Sequence, residues 1–284
     1  MIYRASYRDV EALRNLWKIV FNDSDTFLDR FFQNLFCPDE CFITPGDDGE
    51  IASMLFMLEA SATDNKGGHP MRYVYACATH PDYRKQGLMG KLLNATVEYA
   101  DEKRMDLALV PANAPLFDYY KRFGFTQTTY LYRRAYPPIA ASKASATWQK
   151  SAGGIDESVQ MLQRVRSHLL KGKDAVLWPG NHLKTVLEEL FSENGEFLVL
   201  KNNGRLPFGY ALSLPRGEKI EIVECMSVFP QDDMIASLRN FYRDKATLFN
   251  LSSGIAGSCS ETPFGLLYSS RPERDLYLNL ALNF

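Results

Sequence analysis

What the chain has little of narrows its class first. No apolar run in its 284 residues approaches the roughly 20 residues that a membrane-spanning helix needs. Met1-Ile-Tyr-Arg passes straight into a folded element without a basic-then-apolar leader, so neither a membrane partner nor an export signal is expected. Charge of either sign is not in excess: 32 Lys and Arg against 34 Asp and Glu leave a net charge of −2. Nucleic acid needs a basic surface to neutralise its phosphates, so it is not expected as a partner. Cysteine and histidine are scarce, at five and four. The cysteines at 37, 41, 77, 225 and 259 form no disulfide framework, and their odd number favours reduced thiols and a cytoplasmic location. Cys37-Pro-Asp-Glu-Cys41 is half of a zinc site without the other half, so no metal is expected.

What is present suits two ordinary domains, since 46% of the residues are hydrophobic and the length exceeds the usual single-domain size. Two prolines and a run of small residues mark 138–146 as a linker, giving domains at 1–137 and 147–284. The first begins with a strand at Ile2. A helix over Asp9–Phe21 follows, apolar at Val10, Leu13, Leu16, Trp17 and Val20, and then a second helix capped by Ser24. Strands are expected at Cys41–Thr44 and Ile51–Leu58 around a turn at Asp47-Asp48-Gly49, with a loop over Ser61–Met71.

The richest stretch runs from Tyr73 to Leu93: a strand ended by Thr79-His80-Pro81, a turn carrying Gly87 and Gly90, and a helix apolar at Met89, Leu92, Leu93, Val97 and Ala100. A strand that turns through glycine into a helix presents unbonded N–H groups to an anion, and Arg84, Lys85, Gln86 and Lys91 stand at its mouth. Beyond it, Asp106-Leu-Ala-Leu-Val-Pro reads as a buried strand. Asn113 to Phe125 reads as a short helix closed by Gly124.

These segments resemble the GNAT superfamily of acetyl-CoA-dependent N-acetyltransferases. Its signature is Arg or Gln, two variable residues, Gly, one variable residue, then Gly or Ala, and Arg84, Gly87 and Met89 hold those places, with Gly90 one position late. The resemblance implies an α/β (α+β) fold with a mixed, mostly antiparallel sheet flanked by helices. It also implies acetyl-CoA as co-substrate, held by the backbone of Cys77, Ala78 and Thr79 and by Arg84, Lys85, Gln86, Gly87, Leu88, Met89 and Gly90, with Asn113 on the pantetheine arm. Counting back from Gly124-Phe125 puts the tyrosine that faces the thioester sulfur at Tyr120. Its neighbour Tyr119 points about 100° away on a helix of ~3.6 residues per turn.

The reaction so implied is direct attack of a primary amine on acetyl-CoA in a ternary complex, the acceptor being a small molecule or a peptide. A lysine-like amine of pKa ~10.4 costs about 4.6 kcal/mol to deprotonate at pH ~7. Many family members keep a glutamate for this purpose on the strand entering the signature, where this chain has Tyr75. Glu59, His80 and the terminal carboxylate of Phe284 are alternatives by residue type.

After the linker, helices at Ile155–Leu170 and Asn181–Leu190 precede strands at Glu196–Leu200, Phe208–Leu214 and Lys219–Val228, with a turn at Asn202-Asn203-Gly204. Val228-Phe229-Pro230 echoes Thr79-His80-Pro81, and a helix is expected over Asp233–Asp244. The second half reads as a diverged copy of the first. It carries Gln231-Asp232-Asp233 where a phosphate would lie, so one acetyl-CoA site per chain is expected. This active-plus-degenerate pairing resembles the tandem GNAT proteins of the enhanced-intracellular-survival type, without their sterol-carrier-like domain. The alternative is a non-catalytic acyl-CoA-binding protein or scaffold. An exposed sheet edge or the aromatic helix Phe27–Phe36 leaves a homo-oligomer open.

Overall fold

Alternation along one strand organises the first half of the molecule. In the stretch that ends at Thr79, Met71, Tyr73 and Tyr75 point to one face, where the Tyr75 ring lies 5.8 Å from both Trp17 and Phe31. Val74 points to the other face, into a core with Leu92, Leu93, Leu107, Leu109 and Phe125. The structure, a computed structural model, describes residues 1–47, 49–139, 147–200, 207–251, 260–271, 276–280 and 282. The expected linker residues 140–146, the turn at 202–204, and Asp48, Cys259 and Phe284 lie outside the described residues.

Up to the junction the elements are β1 (Tyr3–Arg4), α1 (Val10–Phe21), α2 (Asp25–Asn34), β2 (Cys41–Pro45), β3 (Ile51–Asp64), β4 (Gly67–Thr79), α3 (Leu88–Lys103), β5 (Asp106–Leu109), α4 (Ala114–Lys121) and β6 (Gln127–Tyr136). Then come β7 (Trp148–Lys150), α5 (Ile155–Leu169), β8 (Ala175–Leu177), α6 (Gly180–Ser192), β9 (Glu196–Leu200), β10 (Gly209–Arg216), β11 (Lys219–Ser227), α7 (Gln231–Phe241), β12 (Ala246–Leu251) and β13 (Ser260–Tyr268). Local chemistry explains the boundaries. The Ser24 hydroxyl accepts from the Phe27 N–H at 3.1 Å to open α2, as the sequence predicts. The expected loop at Ser61–Met71 is instead a strand hairpin: β3 runs on to Asp64, whose carboxylate accepts from the N–H groups of Lys66 and Gly67 at 2.7 and 2.9 Å and so makes the turn. Helix α7 begins two residues before the expected start and stops at Phe241.

The chain divides into two units. The first comprises Met1–Ala62, Gly68–Thr129 and Phe264–Arg274; the second comprises Thr63–Gly67, Tyr130–Pro263 and Asp275–Phe284. The boundary thus falls at Thr129/Tyr130, ahead of the proline-marked 138–146, and a late segment returns to the first unit. In that unit β1 pairs antiparallel with β2 and β2 with β3, β4 follows β3, and β4 pairs parallel with β5. Leu266–Tyr268 of β13 then pairs antiparallel with β5. Helices α1 and α2 bury Leu13, Leu16, Trp17, Leu28 and Phe31 on one face of this sheet, and α3 and α4 cover the other.

The second unit has the same plan. β7 pairs antiparallel with β9, β9 with β10 and β10 with β11, β11 pairs parallel with β12, and β12 pairs antiparallel with the Tyr132–Tyr136 part of β6. Its core holds Leu198, Ala211, Ile222, Ile235, Leu238 and Phe249. Two helices precede its meander and one helix bridges its parallel pair, as in the first unit.

Candidate active site

The site forms where β4 and β5 part. Their parallel pairing covers Met71–Tyr73 against Asp106–Ala108 and goes no further, so from Val74 onward β4 leaves backbone on that side without a ladder partner in β5. Within the open stretch Ala76 has φ +46, a left-handed conformation that costs a non-glycine residue about 1–2 kcal/mol and makes a bulge. The bulge shifts side-chain parity. Cys77 would otherwise follow Tyr73 and Tyr75 toward α1 and α2, and it instead packs with Val74, Leu92 and Tyr120 on the α3–α4 face. Nothing in the sequence signals this, because alanine is not a residue chosen for φ above zero.

After Thr79 the chain makes a 3-10 turn at Pro81–Tyr83, opened by His80, whose Nδ1 accepts from the Asp82 N–H at 3.3 Å. His80 therefore serves as a strand-end cap. The Arg84 Nε donates to the Thr79 carbonyl at 3.3 Å, holding the loop against the strand end. Lys85 at φ +62 and Gly87 at φ +74 then reverse the chain into α3, and the first intrahelical bond runs from the Lys91 N–H to the Gly87 carbonyl at 3.1 Å. The N–H groups of Leu88, Met89 and Gly90 precede that bond and face the mouth of the helix. A cavity of about 340 Å³ opens there, lined by Thr79, Tyr83, Arg84, Lys85, Gly87, Leu88, Met89 and Tyr119.

The two glycines have separate reasons. Gly87 is required by its φ; a Cβ added there would meet nothing within 4 Å. A Cβ on Gly90 would lie 3.2 Å from the Phe123 ring, so this glycine lets α3 pack closely on the turn after α4. Gly124, at φ +89, ends the α4 region and leaves room for the Tyr268 ring, 2.9 Å from where its Cβ would stand.

Helix α4 supplies the other wall. Tyr120 is 8% exposed, its ring 6.3 Å from that of Phe125, in the same core against which Cys77 packs. Burial, reinforced by the neighbouring Cys77, pushes the phenol well above its ordinary pKa of 10.0. Burial also pushes the Cys77 thiol up to about 12, against an opposing effect of the neighbouring Tyr120 hydroxyl. Both groups are neutral near pH 7. Tyr119 is half-buried and lines the cavity that Tyr120 does not. Asn113 is the N-cap of α4, yet its exposed side chain makes no capping bond.

Thus Cys77, Ala78, Thr79, the 84–90 turn and Tyr120 lie on three adjoining elements of the first unit. Of the remaining base candidates, Phe284 lies outside the described residues. Glu59 is exposed on β3, where its charge bears on Arg72, a residue already held by Glu40 at 2.9 Å. Tyr75 sits in the aromatic cluster beneath α1 and α2. Among the described residues no group of three or more His, Cys, Asp or Glu could hold a metal, and no helix is long and apolar enough to cross a membrane.

Residues 2–128 match the family model of the acetyltransferase (GNAT) domain. Over this segment, a little under half of the chain, the sequence is similar to the GNAT superfamily. The chain's fold is shared with a GCN5-related N-acetyltransferase from Anabaena variabilis, with TM-score 0.78 and 15% identity over 94% of this chain and 72% of that one. A GCN5-related N-acetyltransferase from Kribbella flavida gives 0.70 and 12% over 94% and 70%, and Eis1 from Mycobacterium abscessus gives 0.66 and 14% over 95% and 73%. No curated protein matches in sequence. The mixed sheet with one parallel pair in each unit agrees with the α/β class expected.

Proposed function

We propose that this chain is an N-acetyltransferase that moves an acetyl group from acetyl-CoA to a primary amine, with one working site per chain, in the first unit. The observation that carries the reading is that the β4–β5 pairing ends at Tyr73, beside a cavity at the open first turn of α3 that Thr79 and Tyr119 help to line. The N–H groups of Leu88, Met89 and Gly90, with Arg84, Lys85 and Gln86 around them, suit the pyrophosphate. Asn113, with its cap position unused, suits the amides of the pantetheine arm. Backbone N–H groups around the Ala76 bulge, from Cys77 to Thr79, suit the thioester carbonyl, as fixed donors that need no reorganisation when charge develops on oxygen.

The amine nitrogen then attacks the carbonyl carbon. An N–C bond forms, the C–S bond breaks, and the proton lost by the amine ends on the released thiol, giving an amide and a free thiol. Tyr120 stabilises the sulfur by hydrogen bonding, because a phenol held above pKa 10 gives up its proton poorly to a thiolate of pKa ~8.5. The acceptor is a small molecule or peptide amine, no metal takes part, and reduced Cys37, Cys41, Cys77 and Cys225 suit a cytoplasmic setting. The test is calorimetric titration with acetyl-CoA, followed by an assay of thiol release across an amine panel. Micromolar binding with amine-dependent release is expected; absence of binding heat, or of release with every amine, refutes the reading.

A further inference from the structure

We infer that a second cavity in the first unit, apart from the one at the first turn of α3, is a ligand site for a basic α-amino acid. It measures about 340 Å³ and lies where α1 faces the start of β3 and the end of β4. The two cavities share no lining residue. The loop after β4 gives His80 to this one and Thr79, Tyr83 and Arg84 to the other. The sequence builds the site by giving α1 two stripes. Leu13, Leu16 and Trp17 are buried, while Arg8 just ahead of the helix, Glu11, Asn15 and Ile19 follow at intervals of three and four residues and form an exposed stripe beside them.

The lining sorts into an apolar wall and a charged rim. Leu16 and Ile51, both buried, and Ile19, 52% exposed, make the wall. Arg8, Glu11 and Glu50 supply the charges, and among the described residues none of these three side chains has an ion pair or hydrogen bond. His80 is engaged within its own loop, its Nδ1 accepting from the Asp82 N–H at 3.3 Å. A single unpaired charge on a surface is ordinary, whereas one cation and two anions around one concave apolar wall form a recognition pattern. The volume stands at the lower end of small-ligand sites, about 300–1,000 Å³, and excludes a folded partner. Charge then decides the class. One guanidinium against two carboxylates calls for a ligand with one anion and two cations, and an α-amino acid with a cationic side chain carries those three groups. In lysine the carboxylate suits Arg8, the two ammonium groups suit Glu11 and Glu50, and the methylene stem suits Leu16, Ile19 and Ile51.

The test is calorimetric titration of the full chain with L-lysine, with 1,5-diaminopentane, which lacks the carboxylate, and with L-norleucine, which lacks the side-chain ammonium. Each is titrated into wild type, Arg8→Gln and the Glu11→Gln/Glu50→Gln double variant. The rim is exposed, so the substitutions leave the unfolding temperature unchanged, and each charge contact corresponds to about a three- to fivefold change in Kd. Lysine is expected to bind with a submillimolar Kd, and each analogue more weakly by about that factor. Arg8→Gln weakens lysine and norleucine without weakening diaminopentane, and the double variant weakens lysine about tenfold or more. Absence of heat with lysine at millimolar concentration overturns the inference. Equal binding of lysine and diaminopentane also overturns it, as does an equal loss of the two in Arg8→Gln. The site stands apart from the acetyltransferase reading: a protein that takes up no acetyl-CoA refutes that reading, and the lysine titrations still decide this one.

Discussion

Replacing Tyr120 by Phe removes one oxygen and leaves the ring in its place against Phe125, so it isolates what the hydroxyl contributes. A hydrogen bond to a charged partner contributes about 1.5–3 kcal/mol, which at 1.36 kcal/mol per decade is a factor of about 10 to 150. The sulfur carries only part of a charge in the transition state, and the phenol, held up by burial, shares its proton incompletely. The expected loss is therefore toward the lower end, about 10- to 40-fold. It should appear in kcat, with KM for acetyl-CoA nearly unchanged, because the neutral thioester of the ground state is a poor acceptor. The same burial fixes a sign for pH. Since the phenol pKa is raised above 10, Tyr120 stays protonated through the assay range, and the wild-type rate shows no falling limb from it below pH 10. Thiol release measured from pH 6 to 10 for both proteins checks this. A Tyr120→Phe variant within twofold of wild type in kcat, or one whose whole loss is in KM, refutes the assigned role.

Gly87→Ala forces a Cβ onto a residue at φ +74, so we expect about 1–2 kcal/mol of lost stability and weaker acetyl-CoA binding, read by denaturant unfolding and calorimetry. His182 is buried, stacked on Trp178 at 4.0 Å, and its Nε2 pairs with the Leu280 carbonyl at 2.7 Å; burial chiefly, with the charge of Arg166, lowers its pKa to about 3. The unfolded state then takes up a proton first as pH falls below 6.5, so the stability held above pH 6.5 is lost on the way down to pH 3. This costs about 2 kcal/mol by pH 5, and a His182→Gln variant should flatten that part of the stability–pH curve. A fragment of residues 1–137 lacks Leu266–Tyr268, the strand partner of β5, and the Tyr268 hydroxyl that donates to Asp101 at 2.7 Å; near-ultraviolet circular dichroism should show no fixed tertiary packing.

Much of the site was legible because its chemistry is local. Thr79-His80-Pro81, Gly87 and the amphipathic run from Met89 specify strand end, turn and helix within some twenty residues, and the helix start at Leu88 follows. Spacing back from Gly124 likewise puts Tyr120 on α4, where it packs beside Phe125. The features that were not legible are those set by distant residues or by strain. The left-handed Ala76 lies just beyond the end of the β4–β5 pairing, with no residue preference behind it. Gly90 has a packing reason that local sequence does not show, the Phe123 ring 3.2 Å from where its Cβ would stand. The extension of β3 and β4 through 61–71 was missed because Asp64, Lys66 and two glycines carry turn chemistry in a short stretch, while the flanking Ala60, Ala62 and His69 are buried strand positions. The return of Phe264–Tyr268 to the first unit rests on pairing with β5, a relation that no local pattern encodes.

The second unit shows that the fold alone does not make the site. Its parallel pair ends at Ile222↔Phe249, and Phe229-Pro230 follows Ile222 at the interval by which His80-Pro81 follows Tyr73, so the strands part at equivalent positions. What differs is local. The irregularity of β11 against β10 falls at Val223, between the pairs Leu212↔Glu224 and Ser213↔Ile222, without a positive φ, and α7 is entered through Pro230 at φ −52 with Asp232 and Asp233 in its first turn, which repel an anion. The Val223 carbonyl, at the first open position, accepts from the Asn279 side chain at 2.9 Å. Glu224, the counterpart of Tyr75, is fully buried and bound by Arg166 at 3.1 Å and by the Tyr210 hydroxyl at 2.6 Å. A carboxylate so held stabilises the core and is closed to an incoming amine, because freeing it would leave the Arg166 charge buried without a partner, at a cost of about 3–5 kcal/mol. The same topology therefore holds a cleft in one unit and a sealed ion pair in the other, and a few backbone angles and first-turn charges decide between them.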